Sequence, residues 1–182
     1  MIDGQQATCI LAAADLLHSA ETVAVAISRV ARRITETLRD SRPVVLCVMN
    51  GSVPFAGQLL TQLNFPLEFD YLQVGRYGQA TTGSDLSWRV EPSLPLAGRT
   101  VLVVDDILDE GVTLAAIRER VVQLGARTCW TAVLADKLNG REKPVRADFV
   151  ALTVPDRFVF GYGMDVRGAW RNLPAIYAMR ED

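Results

Sequence analysis

V-L-V-V-D-D-I-L-D-E-G-V-T-L, running from Val101 to Leu114, is the stretch on which the reading of this chain turns. It passes from an apolar strand, through acids, into the start of a helix. At a helix N-terminus the free backbone N–H groups and the dipole favour an anion, commonly phosphate. Gly111 lets the backbone approach such a ligand closely, and Thr113 adds a hydroxyl donor. Asp105 and Asp106, at the strand end, are a different device. Carboxylates beside a phosphate suit hydroxyls, or water around a divalent cation. One end of the turn is thus offered to a phosphate and the other to a polyol with its metal. An acid-rich first helical turn would explain an isolated Asp-Asp pair. It does not explain the ordered series of strand, two acids, a third acid, Gly, Thr and helix.

Working outward, similar apolar runs recur as V-V-L-C-V-M (44–49), C-W-T-A-V-L-A (129–135) and F-V-A-L-T-V (149–154). Runs apolar on both faces, separated by helical segments, are what a parallel sheet covered by helices requires. Pro54–Leu63 and Val112–Leu124 supply two of those helices, the second ended by Gly125 just past its last turn. Two helical patterns open the chain, divided at Ser19 as an N-cap, with His18 near the end of the first. In the second, Val23, Ile27, Val30, Ile34 and Leu38 recur at helical spacing until Arg42-Pro43 stops it. Residues 75–98 hold four glycines (Gly75, Gly78, Gly83, Gly98), two prolines and many polar residues, and read as a long loop or irregular hairpin. A loop of that length is usually functional, often a lid. In an open parallel sheet, ligands bind outside the carboxyl ends of the strands. That rule singles out Met49–Ser52, Asp105–Thr113, Asp136–Lys137 and Pro155–Phe158.

Composition narrows the classes. The 182 residues suffice for one domain with a proper core, and 49% hydrophobic with 22% charged residues argues against disorder. A net charge of −2 supplies no basic field for nucleic acid or an anionic membrane. Cys9, Cys47 and Cys129 show no C-x-x-C spacing and read as reduced structural thiols. His18 is the only histidine, so it reads as a solvated surface residue rather than a catalytic one. No basic leader and no long uninterrupted apolar stretch is visible, and the expected location is cytoplasmic.

The segment Val101–Leu114 resembles the phosphoribosyl-pyrophosphate (PRPP) motif of type I phosphoribosyltransferases: four hydrophobics, two acids, then D-x-G-x-T. Over roughly residues 20–180 the order and spacing are similar to the bacterial-type hypoxanthine-guanine phosphoribosyltransferases. The resemblance implies an α/β fold, with a central mostly parallel sheet flanked by helices, a small hood and a mobile loop. It implies one domain over 1–182, with 75–89 as the flexible active-site loop and with 1–20 and 155–182 contributing the hood and periphery. Asp105 and Asp106 would hold the ribose hydroxyls and magnesium, with Asp109 near purine N7 as general base. The backbone of Glu110, Gly111, Val112 and Thr113 would bind the 5′-phosphate. Glu110 stands where many relatives have Thr or Ser, so its side chain is expected to point away and contribute only its N–H.

In the resembling family the turn Met49-Asn50-Gly51-Ser52 binds pyrophosphate, often through a lysine preceded by a non-proline cis peptide. Asn50 replaces that lysine here, and a cis bond at Met49-Asn50 is the corresponding expectation. Arg76 and Tyr77 resemble the Ser-Tyr pair that opens the family's lid, with Arg76 able to restore the charge that Asn50 removes. Lys137 matches the lysine that donates to the purine 6-oxo group. Phe158 resembles the aromatic that stacks on the base, Val159 offers backbone groups to its edge, and Arg157 steadies the ribose side. Asp165 looks like the carboxylate of a second magnesium, and Arg171 like the arginine that contacts pyrophosphate.

The expected reaction is transfer of the phosphoribosyl group from PRPP to N9 of a 6-oxopurine, hypoxanthine or guanine, in a homo-oligomer (dimer or tetramer) without membrane or nucleic-acid partners. Two rivals remain at this stage. One is a nucleotide-sensing phosphoribosyltransferase-like regulator that binds RNA; the other is a xanthine-preferring enzyme.

Overall fold

Side chains alternate between the two faces of a strand, and the apolar runs obey that rule on both faces. In the computed structural model, which describes residues 2–76 and 86–180 with the side chains of Arg76 and Leu86 left aside, two separate cores result. The elements in chain order are α1 (Gly4–Ala13), β1 (Asp15–His18), α2 (Ala20–Leu38), β2 (Val44–Met49), α3 (Val53–Leu60) and β3 (Glu68–Arg76). They continue as β4 (Leu86–Val90), β5 (Thr100–Leu108), α4 (Val112–Gln123), β6 (Thr128–Leu138), β7 (Phe149–Pro155), β8 (Val159–Phe160) and β9 (Ile176–Ala178).

A six-stranded sheet runs in the order β4-β3-β2-β5-β6-β7, parallel except where β4 pairs antiparallel with β3. Val45, Cys47, Leu102, Val104, Ala132 and Leu134 point to the face covered by α2 and α3. Val44, Leu46, Val101, Val103 and Val133 point to the other, beneath Leu114, Ile117 and Val121 of α4. The helical stripe of α2 is buried along its length, from Val23 to Leu38. Truncating a fully buried member such as Ile27 or Ile34 to Ala would cost about 2–5 kcal/mol. Ser19 caps α2, its Oγ accepting from Thr22 N, and Gly125 takes the expected left-handed φ of +86° past α4.

Three expectations need correction. Residues 15–18 are a strand, not a helix end: α1 stops at Ala13, and His18 stands within hydrogen-bond distance of Thr153 O through Nε2 at 2.9 Å. Residues 68–76 form a full strand that the sequence reading passed over. Of the segment expected as a loop, 75–89, Gly75–Arg76 belong to β3 and Leu86–Arg89 to β4; residues 77–85, with Tyr77, lie outside the described residues.

A second, antiparallel sheet, β1-β9-β8, joins the two ends of the chain beside the large sheet and forms the hood. Arg157 clasps it, its Nη2 donating to Asp15 Oδ2 and to Met179 O, both at 2.7 Å. The Arg157 guanidinium holds the Asp15 carboxyl below the usual carboxylate range. No described helix is long and apolar enough to cross a membrane.

Candidate active site

The parallel strands β2, β5 and β6 end side by side, and their ends carry the chemistry, as the strand-end rule requires. A cavity of about 320 Å³ opens there, lined among others by Asn50, Gly51, Asp106, Asp109, Asp165 and Arg171. At its floor lies Asp105, which is buried, and its Oδ1 accepts the N–H of Asp106 at 2.9 Å. Burial, and then the like charge of Asp106, push the Asp105 carboxyl well above the usual carboxylate range; burial raises Asp106 as well.

The turn after β2 fits against Asp106 with no room to spare. The Met49-Asn50 peptide is cis, as expected from the resemblance. A Cβ on Gly51 would stand 1.8 Å from Asp106 Oδ2, and a Cβ on Gly163 would stand 1.8 Å from Gly51 O. Only glycine fits at either place. Gly163 stacks on Gly51, and Gly51 stacks on the Asp106 carboxyl.

Gly111 caps α4 with φ +81°, and Glu110 and Thr113 line the cavity beside it. The N-terminus of this 12-residue helix, opened by a left-handed glycine and without a side-chain cap, has the free N–H groups that can cradle an anion.

Asp109, on the wall of this cavity, pairs with its neighbour. Lys137 Nζ donates to Asp109 Oδ2 at 2.6 Å, with the lysine side chain 11% exposed and the carboxylate 44%. The acid is thus open to a ligand while its partner is nearly enclosed. Asn139 Nδ2 adds a bond to Asp109 O at 3.2 Å. On the far wall, Arg171 donates to Asp165 and, through Nη1, to Gly163 O at 2.6 Å. Trp170 beside it donates from Nε1 to Ala7 O at 2.7 Å, which ties α1 to this wall.

These groups are brought together by the fold: a buried acidic pair, a helix N-terminus, a glycine turn, and an acid–lysine pair. The model of the phosphoribosyl transferase domain family matches residues 13–167. The chain belongs to the phosphoribosyltransferase family. Within that family it is 33% identical over 172 residues to the hypoxanthine-guanine phosphoribosyltransferase of Bacillus subtilis, covering 91% of this chain and 92% of that protein. The Streptococcus pneumoniae protein of the same name is 30% identical over 168 residues, with 92% and 93% covered. Among solved structures, a hypoxanthine phosphoribosyltransferase from Trypanosoma cruzi, in a ternary substrates complex, superposes with a TM-score of 0.86. It is 30% identical, with 93% of this chain and 97% of that one covered. One from Staphylococcus aureus gives 0.85 at 27% identity, with 91% of each chain covered.

Not every predicted site residue faces the phosphoribosyltransferase cavity. Arg157 is engaged in the hood clasp, 21% exposed, and its Nε is buried with no partner among the described residues. Phe158 is half exposed, and its carbonyl accepts from Met179 N at 2.9 Å, while Val159 pairs with Ala178. Lys137 borders a second hollow, formed with residues 138–147. Arg76 ends β3.

Residues that the sequence reading left out also shape the site. Gly163 betrays itself only through its contact with Gly51. Lys143 sits in N-G-R-E-K-P, which has no apolar period and reads as solvated loop. No sequence signal marks which charge of that loop turns inward.

Proposed function

We propose that this chain transfers the 5-phosphoribosyl group from PRPP to N9 of a 6-oxopurine, hypoxanthine and guanine, releasing pyrophosphate. The observation that carries this reading is the Asp109–Lys137 pair at the edge of the acidic cavity. A cation poised there can donate to a 6-oxo oxygen, whereas the 6-amino group of adenine would leave it without an acceptor. Asp109 beside it accepts a proton or hydrogen bond from purine N7. The relatives named above favour this salvage reaction over an RNA-binding regulator or a xanthine-preferring enzyme.

In this reading Asp105 and Asp106 bind the ribose hydroxyls, and the N–H groups of Glu110, Gly111, Val112 and Thr113 hold the 5′-phosphate, Glu110 through its backbone alone. Asn50 and Gly51 with Arg76, Tyr77 and Arg171 receive the pyrophosphate. Phe158 and Val159 cover the base with Arg157 behind them, and the segment between β3 and β4 excludes water. The transition state carries positive charge on the ribose, so positioning and stabilisation of the leaving group dominate.

Among the described residues no cluster of three or more His, Cys, Asp or Glu could hold a metal by itself. That suits magnesium, which usually takes one or two carboxylates plus substrate phosphates rather than an all-protein cage. Asp105 and Asp106 are the carboxylates that would hold one magnesium, and Asp165 on the opposite wall would serve a second; when bound, the metal would neutralise pyrophosphate charge. The whole chain, 1–182, acts as one domain in the cytoplasm. Phe69 and Tyr71, both exposed on one face of β3, support assembly into a homo-oligomer, a dimer or tetramer.

The test is release of pyrophosphate from PRPP and magnesium. Release on adding hypoxanthine, and none without a base, is expected. Release indifferent to the base, or none at all, would overturn the assignment.

A further inference from the structure

Lys143 lies in the loop between β6 and β7, yet its side chain is only 12% exposed. An ammonium has three protons to donate, and here each has an acceptor. Nζ lies 2.8 Å from Leu108 O, 2.6 Å from Asp136 Oδ1 and 2.6 Å from Lys137 O. Leu108 and Asp136 are register partners at the ends of β5 and β6, where the two strands part. The next residues along the chain from each are Asp109 and Lys137, the pair that meets at 2.6 Å. The stem of Lys143 packs on the phosphate turn as well: its Cβ, like Pro144 Cδ, is 3.3 Å from where a Cβ on Gly111 would stand.

We infer that Lys143 is the positioning residue of the purine end, fixing the main chain on both sides of Asp109 and under Lys137 so that acid and ammonium face the base together. The inference rests on the proposed reaction. Lys143 touches no substrate in it. Its ammonium joins the Leu108 carbonyl, which leads into Asp109, to the carbonyl of Lys137 itself. Its stem steadies Gly111 on the other side of the acid. Without it three acceptors lose their donor, Asp136 loses its counter-ion, and the two strand ends are free to drift apart. A displacement of about 1 Å at a reacting group can cost 10²-fold in rate.

Lys143→Met keeps the stem and removes the donors. In steady-state kinetics with PRPP and hypoxanthine, kcat/KM for the purine should fall by about 10- to 100-fold, while KM for PRPP stays within about twofold. The loss should also vanish largely in an Asp109→Asn background, because the two changes act through one group. A merely structural ion pair would lower the melting temperature and leave both KM values alone, and that result overturns the inference. Equal losses for the two substrates, or full additivity with Asp109→Asn, overturn it too. Should the Met variant not fold, Lys143→Gln, whose neutral amide offers two N–H donors in place of three, is read against the same criteria. Wild-type protein runs alongside: its failure to turn over any purine would defeat the reaction assignment, whereas normal wild-type turnover with unaltered variant kinetics defeats only this inference.

Discussion

Gly51→Ala tests how tightly the acidic pair and the turn after β2 are built into one another. The added methyl would stand 1.8 Å from Asp106 Oδ2 and 2.5 Å from its Cγ. The carboxyl would have to retreat by roughly 1.5 Å to reach an ordinary contact distance. It cannot do so freely, because Asp106 Oδ1 accepts from Ile107 N at 2.9 Å. The turn cannot retreat either, since Gly51 O is pressed against Gly163. Overpacking of this kind costs about 1–3 kcal/mol of stability. In the proposed reaction a displaced Asp106 would also lose its hydrogen bond to a ribose hydroxyl, worth about 1.5–3 kcal/mol for a charged acceptor. That corresponds to roughly 10- to 150-fold in Kd. Urea denaturation reads the first quantity, and calorimetric titration with PRPP and magnesium reads the second. Gly57→Ala is the control: it lies exposed in α3 with nothing within 4 Å of the new methyl. Helix propensity predicts a gain of about 0.5–1 kcal/mol there, with unchanged PRPP binding. A folded Gly51→Ala protein that binds PRPP within about twofold of wild type would refute the close fit.

Asp109→Asn should leave PRPP affinity nearly unaltered and lower kcat by about 10²–10⁴-fold, the usual contribution of a general base; equal loss of both would contradict that role. Asp105→Asn keeps an oxygen acceptor for the Asp106 N–H but removes a carboxyl whose pKa is raised by burial. Such a group opposes folding while charged, so the variant should melt higher near neutral pH and bind PRPP far more weakly, in calorimetry on the same sample. Asp70 has the opposite sign. Burial raises its pKa, but N–H groups of Leu94, Tyr71 and Ser93 and the Ser93 hydroxyl more than offset it and leave the carboxyl below its ordinary range. Its stabilisation is fully present above the unfolded value, roughly pH 3.9, and is lost as pH falls through the depressed native value. Asp70→Asn should therefore cost about 1–3 kcal/mol at pH 7, with the difference from wild type shrinking in acid denaturation.

The burial of β2, β5 and β6 on both faces was legible in the sequence because each is a continuous apolar run that ends in a chemically distinctive turn. β3 was not. Its inward residues include Asp70, and its outward ones include Phe69 and Tyr71, so neither periodicity nor composition marks it as a strand. Asp70 is tolerated inside because backbone donors from Ser93 and Leu94, just past the end of β4, reach its carboxylate. The acids 105, 106 and 109 were legible by their order, since a local motif carries its own geometry. Their partners were less so. The pairing of Asp109 with Lys137 depends on β5 and β6 being register neighbours, and the inward turn of Lys143 depends on both. Arg157 shows the same limit from the other side: its pairing with Asp15 depends on the two ends of the chain meeting in the hood.

The central claim, phosphoribosyl transfer to a 6-oxopurine, is tested most directly by competition. Protein, PRPP and magnesium are mixed with equal amounts of hypoxanthine, guanine, xanthine, adenine and uracil, and the nucleotides formed are separated and identified. The account predicts the nucleotides of hypoxanthine and guanine. Formation of the adenine or uracil nucleotide in their place, or of no nucleotide at all, would contradict it.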